Sequence, residues 1–226
     1  MAGFRSQSLL EELEEHPVTT LVGIASIALF VNSARLDGLD LQSFLGRFIA
    51  SSARIWRDGE FYRFVTTTLC HVDILHLCFN LWFMWSLARV VERRLGVARS
   101  VAGFVLLAVV TTSSEIAFDN YGIGLSGVLF GVFGYLLVAR HRDVEVASIC
   151  HRRLVETVFL WFGLCFVLDA TGLMRIGNLA HSSGLALGYL LGRARYDAAH
   201  RAAWTVGAAL FSSAVVVAGS RIWALG

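Results

Sequence analysis

Apolar runs recur along this chain at a length and regularity that a soluble core does not need. They cover residues 18–31, 64–91, 100–118, 126–139, 154–168, 178–191 and 202–219, and charged residues collect in the segments between them. The pattern predicts an all-α polytopic membrane protein. Residues 1–17 form a polar N-terminal tail, residues 18–192 a six-helix core, and residues 193–226 a linker with a seventh span. The connection 32–63 reads differently. Leu41, Phe44, Leu45, Phe48, Ile49 and Trp56 recur at helical spacing, while Asp40, Arg47 and Arg54 fall elsewhere on the wheel. That is the pattern of an amphipathic segment lying in the membrane interface.

Two of the spans are too short. As a helix, residues 126–139 extend ~21 Å and residues 178–192 ~22 Å at ~1.5 Å per residue. The hydrocarbon core of a bilayer is ~30 Å thick. With Arg140 and Arg193 held at one surface, Ser126 and His181 lie below the other. Irregular backbone at that depth, such as Gly122, Ile123 and Gly124, is tolerated only inside protein or beside a water-filled cavity.

Composition agrees with the pattern. Apolar residues make up 56% of the chain and charged residues 16%, against about 25% charged in soluble domains; mean hydropathy is +0.65. Spans and short loops therefore account for nearly all of the chain, which leaves no sizeable soluble domain and no nucleic-acid-binding face. Pro17 is the sole proline, so long helices can run unbroken. Cys70, Cys78, Cys150 and Cys165 form no CxxC pair and lie in or beside apolar runs, which reads as buried small residues rather than redox or metal ligands. The first residues carry Glu11, Glu12, Glu14 and Glu15, unlike the basic lead of a cleavable signal peptide.

Arginine sets the orientation, since there is no lysine. Arg89, Arg93, Arg94 and Arg99 follow the second span, Arg140, Arg142, Arg152 and Arg153 the fourth, and Arg193, Arg195 and Arg201 the sixth. The positive-inside rule places these loops and the N-terminus in the cytoplasm. Spans two, four and six then all enter from the outer side.

Each of those three brings polar residues near its outer end. Span four begins at Ser126. Span six carries His181 one turn in, followed by Gly184, Gly188 and Gly192, and span four offers Gly127, Gly131 and Gly134. Glycines at this spacing let two membrane helices approach closely, which brings Ser126 and His181 together. A histidine within hydrogen-bond reach of a serine can take its proton and make the oxygen a nucleophile. The bland alternative is a structural histidine and a serine that only caps a helix. Their joint occurrence on two short, glycine-faced helices favours chemistry. On span two, His76 and Asn80 share a helix face and can both donate hydrogen bonds, as an oxyanion site requires. His71, five residues before His76, points elsewhere on a continuous helix and reads as structural. The His71/His76 spacing is wrong for a metal on one face.

These pieces, in order, resemble the rhomboid intramembrane serine proteases. The matching residues are Tyr62 and Arg63, the stretch from His71 to Asn80, the run Glu92, Arg93, Arg94, Leu95, Gly96, the run Gly124, Leu125, Ser126, Gly127, and the run Ala180, His181, Ser182, Ser183, Gly184. The resemblance implies a Ser126–His181 dyad without an acidic third member, His76 and Asn80 at the oxyanion, and supporting roles for His71, Gly124, Phe130 and Gly184. It also implies an outer-leaflet 32–63 loop, a six-plus-one helix arrangement, and no cofactor or metal. Phe130 stands where the family commonly has tyrosine; it keeps the ring that stacks on the histidine. Leu179 stands where glycine is frequent. The expected substrates are transmembrane proteins, cut in or near the outer part of a membrane segment. The expected location is a bacterial inner membrane, with lipid as the surrounding partner. A catalytically inactive relative that binds transmembrane helices is the alternative, and a transporter with broken helices a more distant one. Of the remaining carboxylates, Glu92 is expected to bond to loop groups, Glu115 and Asp119 to lie at the outer interface, and Asp169 to be a candidate partner for His181.

Overall fold

The computed structural model describes residues 9–35, 46–120 and 122–220. Helix α1 (Leu9–Glu15) leads into α2 (Pro17–Arg35), whose first position is the proline. Proline suits that place, because its missing N–H has no partner in a first turn anyway. The remaining first-turn donors of α2 find a carboxylate: Glu92 accepts from Val18 N–H (2.7 Å), Thr19 N–H (2.8 Å) and the Thr19 hydroxyl (2.7 Å). The loop groups expected to engage Glu92 are therefore the start of another helix.

The expected interfacial segment is described from residue 46 onward; Asp40, Leu41, Phe44 and Leu45 lie outside the described residues. Helical backbone at residues 46–48 gives way at Ile49, and a single wide π-type turn (Ala53–Arg57) carries Ile55 inward. The helical spacing from Phe48 to Trp56 is thus not borne by one continuous helix. Side chains anchor the segment instead. Buried Arg63 donates to the carbonyls of Gly46 and Ile49 and pairs with Glu60. Thr66 and Thr67 donate their hydroxyls to the Phe48 carbonyl.

The single span expected over residues 64–91 is two helices, α3 (Arg63–Leu69) and α4 (Ile74–Leu95). Between them, Cys70 and Asp73 are both extended. The cause is local. Thr66, Thr67 and Thr68 are weak helix formers whose hydroxyls bond backbone carbonyls. Asp73 then caps the new helix by accepting from His76 N–H at 2.8 Å. Gly96, at φ 77°, ends α4 and turns the chain directly into α5 (Val97–Ile116).

Helix α6 (Ser126–Ala139) begins at the expected serine. A short helix, α7 (Val144–Ile149), is capped by Asp143 and tied to the end of α4 by ion pairs from Arg93 and Arg94 to Asp143 and Glu145. Helices α8 (Arg152–Ala170) and α9 (Asn178–Tyr196) follow. α9 runs past the expected end near residue 192. Its last turn is stabilised by the Arg193–Asp197 pair and by Arg193 over Trp204 at 4.6 Å, polar contacts that an apolar-run reading ignores. Helix α10 (Arg201–Ser220) closes the described chain and packs on α9 and α5. Its Ala208 joins Leu107 and Leu187 in the core. Among the described residues there are no strands, and α4, α5 and α10 are long and apolar enough to cross a membrane. Residues 17–33 and α6 are apolar but shorter.

Candidate active site

The most extensive helix packing among the described residues is α6 against α9, and glycine makes it possible. A Cβ on Gly184 would collide with the Gly127 carbonyl oxygen, one on Gly188 with that of Gly131, and one on Gly134 with that of Leu185. The two backbones are therefore in direct contact along the helix pair, as the glycine spacing predicts. This contact brings the N-terminal ends of α6 and α9 to the same level.

At that level Ser126 Oγ lies 2.7 Å from His181 Nε2. His181 is buried, and its Nδ1 has no hydrogen-bond partner among the described residues. Phe130, one turn after Ser126, lies against the imidazole with ring centroids 4.6 Å apart and planes at 36°. Phe162 of α8 packs behind Phe130 at 5.4 Å. The imidazole is thus held between a ring and a hydroxyl. A serine oxygen at this distance from an imidazole nitrogen can pass its proton along the bond.

The lead-in to Ser126 is equally constrained. Gly124 adopts φ 105°, a conformation closed to other residues, and its N–H donates to the Thr67 carbonyl at 3.2 Å. A Cβ there would sit 2.7 Å from His76 Cε1 and 2.9 Å from Nε2. The glycine therefore lets the serine loop lie directly on the His76 ring. Asn80 is buried one turn below His76 and donates to the His76 carbonyl at 2.9 Å. Its amide carries a second N–H.

His71 corrects the reading that it points away. Its ring centroid is 5.0 Å from that of His76, and its Nδ1 lies 3.0 Å from the Leu69 carbonyl. Helical-wheel spacing does not apply, because His71 sits in the break between α3 and α4. Asp169 is not placed against His181. It accepts from Asn178 Nδ2 (3.2 Å) and from Ile176 N–H (3.2 Å), holding the turn before α9.

Glu115 is the residue that sequence reasoning misplaced. It is 2% exposed rather than at the outer interface, and its carboxylate accepts from Ala180 N–H at 2.7 Å. The available signal was a carboxylate closing an otherwise uncharged span, just after Thr111, Thr112, Ser113 and Ser114. Asp119 sits beyond the helix end, exposed, at φ 58°. Among the described residues, no group of three or more His, Cys, Asp and Glu side chains has the geometry to hold a metal ion.

Apolar helices packed through glycine, with a serine–histidine contact at one end of the bundle, define a polytopic helical membrane protein. The family model described as Rhomboid domain matches residues 58–198, more than half of the chain. The chain belongs to the rhomboid family, whose members are generally intramembrane serine proteases acting on transmembrane substrates.

Proposed function

We propose that this protein is an active intramembrane serine endopeptidase working through a Ser126–His181 dyad. The observation that carries the reading is the 2.7 Å contact between Ser126 Oγ and His181 Nε2, with the Phe130 ring packed against the imidazole. With the imidazole proton on Nδ1, Nε2 accepts the serine proton as Ser126 attacks the scissile carbonyl. Oxyanion charge develops beside the serine loop. There the Ser126 amide, at a helix N-terminus, the His76 ring against Gly124, and the second N–H of Asn80 are the available donors. His181 then protonates the leaving amine, and water resolves the acyl-enzyme. Asp169 is engaged elsewhere, so the reading assigns no acidic third member. A peptide bond inside a helix is shielded, so substrates with glycine or other helix-weakening residues at the cut are favoured.

Arg93, Arg94, Arg140, Arg193 and Arg195 lie at the opposite ends of α4, α6 and α9 from His76, Ser126 and His181. By the positive-inside rule the centre faces the outer half of the membrane and the N-terminus lies in the cytoplasm. Arginine without lysine, in an alanine-rich chain, fits a GC-rich bacterial genome, and the reading assigns the protein to the inner membrane of such a cell.

The test is labelling of purified, detergent-solubilised protein with a fluorescent fluorophosphonate, with Ser126→Ala and His181→Ala beside it. The expected result is labelling of the wild type and loss in both variants. Asn80→Ala is expected to slow peptide hydrolysis ~10²–10³-fold, the usual cost of an oxyanion donor. A well-folded wild type that takes no label would reverse the conclusion in favour of an inactive, helix-binding relative.

A further inference from the structure

Helix α9 has no cap of its own. Its N-cap is Gly177, which offers no side chain to the free N–H groups of the first turn. The partner comes from another helix, 65 residues away in sequence: Glu115, at the end of α5, accepts from Ala180 N–H at 2.7 Å. A carboxylate at a helix N-terminus also complements the positive end of the helix dipole.

The same side chain touches the approach to Ser126. A Cβ on Gly122 would lie 2.6 Å from Glu115 Cγ, and one on Gly177 would lie 3.1 Å from Oε1 and 3.4 Å from the Gly122 Cα. Gly122 leads into Ser126 and Gly177 leads into His181, so both glycine lead-ins close on one buried carboxylate. Its main chain adds to this, since the Glu115 carbonyl accepts from the N–H groups of Phe118 and Asn120 and turns the chain toward Gly122. One layer deeper, the Ser183 hydroxyl donates to Ser114 Oγ at 2.9 Å, tying α9 to the neighbouring residue of α5.

The geometry points to Glu115 as a positioning residue for the dyad: it fixes the depth and rotation of α9 so that His181 Nε2 meets Ser126 Oγ. This rests on the proteolytic reading above and adds a residue that touches neither substrate nor the reacting atoms. Its role is to accept hydrogen bonds and fill the space between the two glycines. Glutamine, which keeps an acceptor oxygen at the same reach, can therefore replace it, whereas alanine cannot, and aspartate falls a methylene short.

The experiment measures the rate constant of fluorophosphonate labelling, separately from reversible probe affinity, for wild type, Glu115→Gln, Glu115→Ala and Glu115→Asp in detergent. Thermal unfolding of each gives the folded fraction. Wild-type labelling that disappears in Ser126→Ala establishes the proteolytic reading first, so its failure is seen apart from failure of this one. The expected result is Gln within about threefold of wild type and Ala slowed ~10²-fold at unchanged affinity, the cost of misplacing a catalytic group by about an ångström. Folded Glu115→Ala that labels at the wild-type rate would overturn the assignment. Where the alanine variant does not fold, Gln against Asp decides: Gln faster supports the positioning role, and Asp equal or faster refutes it.

Discussion

Adding one methyl group at Gly188 should disable the centre from a distance. Gly188 lies ~10 Å along α9 from His181 at ~1.5 Å per residue, so nothing in the serine–histidine pair is touched. The added Cβ would lie 2.6 Å from the Gly131 carbonyl carbon and 2.9 Å from its Cα, with the carbonyl oxygen nearer still. Non-bonded carbons rest at about 3.5–4.0 Å, so α6 and α9 must part by roughly 1 Å. Every neighbour in question is backbone, so no side chain can rotate out of the way. Overpacking of this kind costs about 1–3 kcal/mol of stability. The same displacement carried to the helix ends stretches the 2.7 Å Ser126–His181 contact beyond hydrogen-bond length, with a rate penalty of ~10². The assay is Tm in detergent together with the labelling rate constant, for Gly188→Ala against Gly103→Ala. The methyl added at Gly103 meets nothing within 4 Å, and removing a helical glycine is favourable by up to about 1 kcal/mol. Gly103→Ala should therefore keep its rate and hold or raise Tm. Gly188→Ala with wild-type Tm and wild-type labelling would refute the argument that backbone contact between α6 and α9 sets the pair.

Phe130→Leu should slow labelling about 2–10-fold, the value of one aromatic contact, while Phe130→Tyr stays near wild type; equal rates in all three would remove the stacked ring from the account. Glu92→Ala strands the buried Thr19 N–H and the part-buried Val18 N–H at the start of α2 and should cost about 1–3 kcal/mol, read as a lowered unfolding midpoint, with Glu92→Gln affected less. Asp143 is pulled down to about 2 from an ordinary 3.8, first by its hydrogen bonds to Arg94 and then by the Val146 amide. A depressed carboxylate stabilises the folded state above its unfolded value and loses that contribution as pH falls through the folded one. The Tm difference between wild type and Asp143→Asn should therefore be constant above pH ~5 and shrink as pH falls toward ~2; a difference undiminished at the acid end would separate the Arg94 contact from stability.

How much of this was legible beforehand follows from what each feature depends on. The helical class and most of the spans were readable because a membrane segment must satisfy its own backbone, so an apolar run of sufficient length has few alternatives. Ser126 at the start of α6 and the α6–α9 contact were readable for a related reason, since glycines four apart state directly how near two backbones can come. The break at residues 70–73 was not, because the runs on either side are apolar and the deciding groups are threonine hydroxyls and one aspartate cap. With that break went the position of His71, whose place beside His76 follows from an extended turn and not from helical spacing. The true end of α9 was hidden in polar contacts reaching from α9 to Asp197 and Trp204. The sequence marks Glu115 as an unusual carboxylate in an uncharged span, but its partner depended on the tertiary fold. Its hydrogen bond joins residues 65 apart in sequence, and a buried carboxylate capping another helix reads, in sequence, the same as one at the water interface. Patterns over neighbouring residues report what the backbone must do within a segment. Which buried polar group satisfies which helix end is decided only when the segments meet.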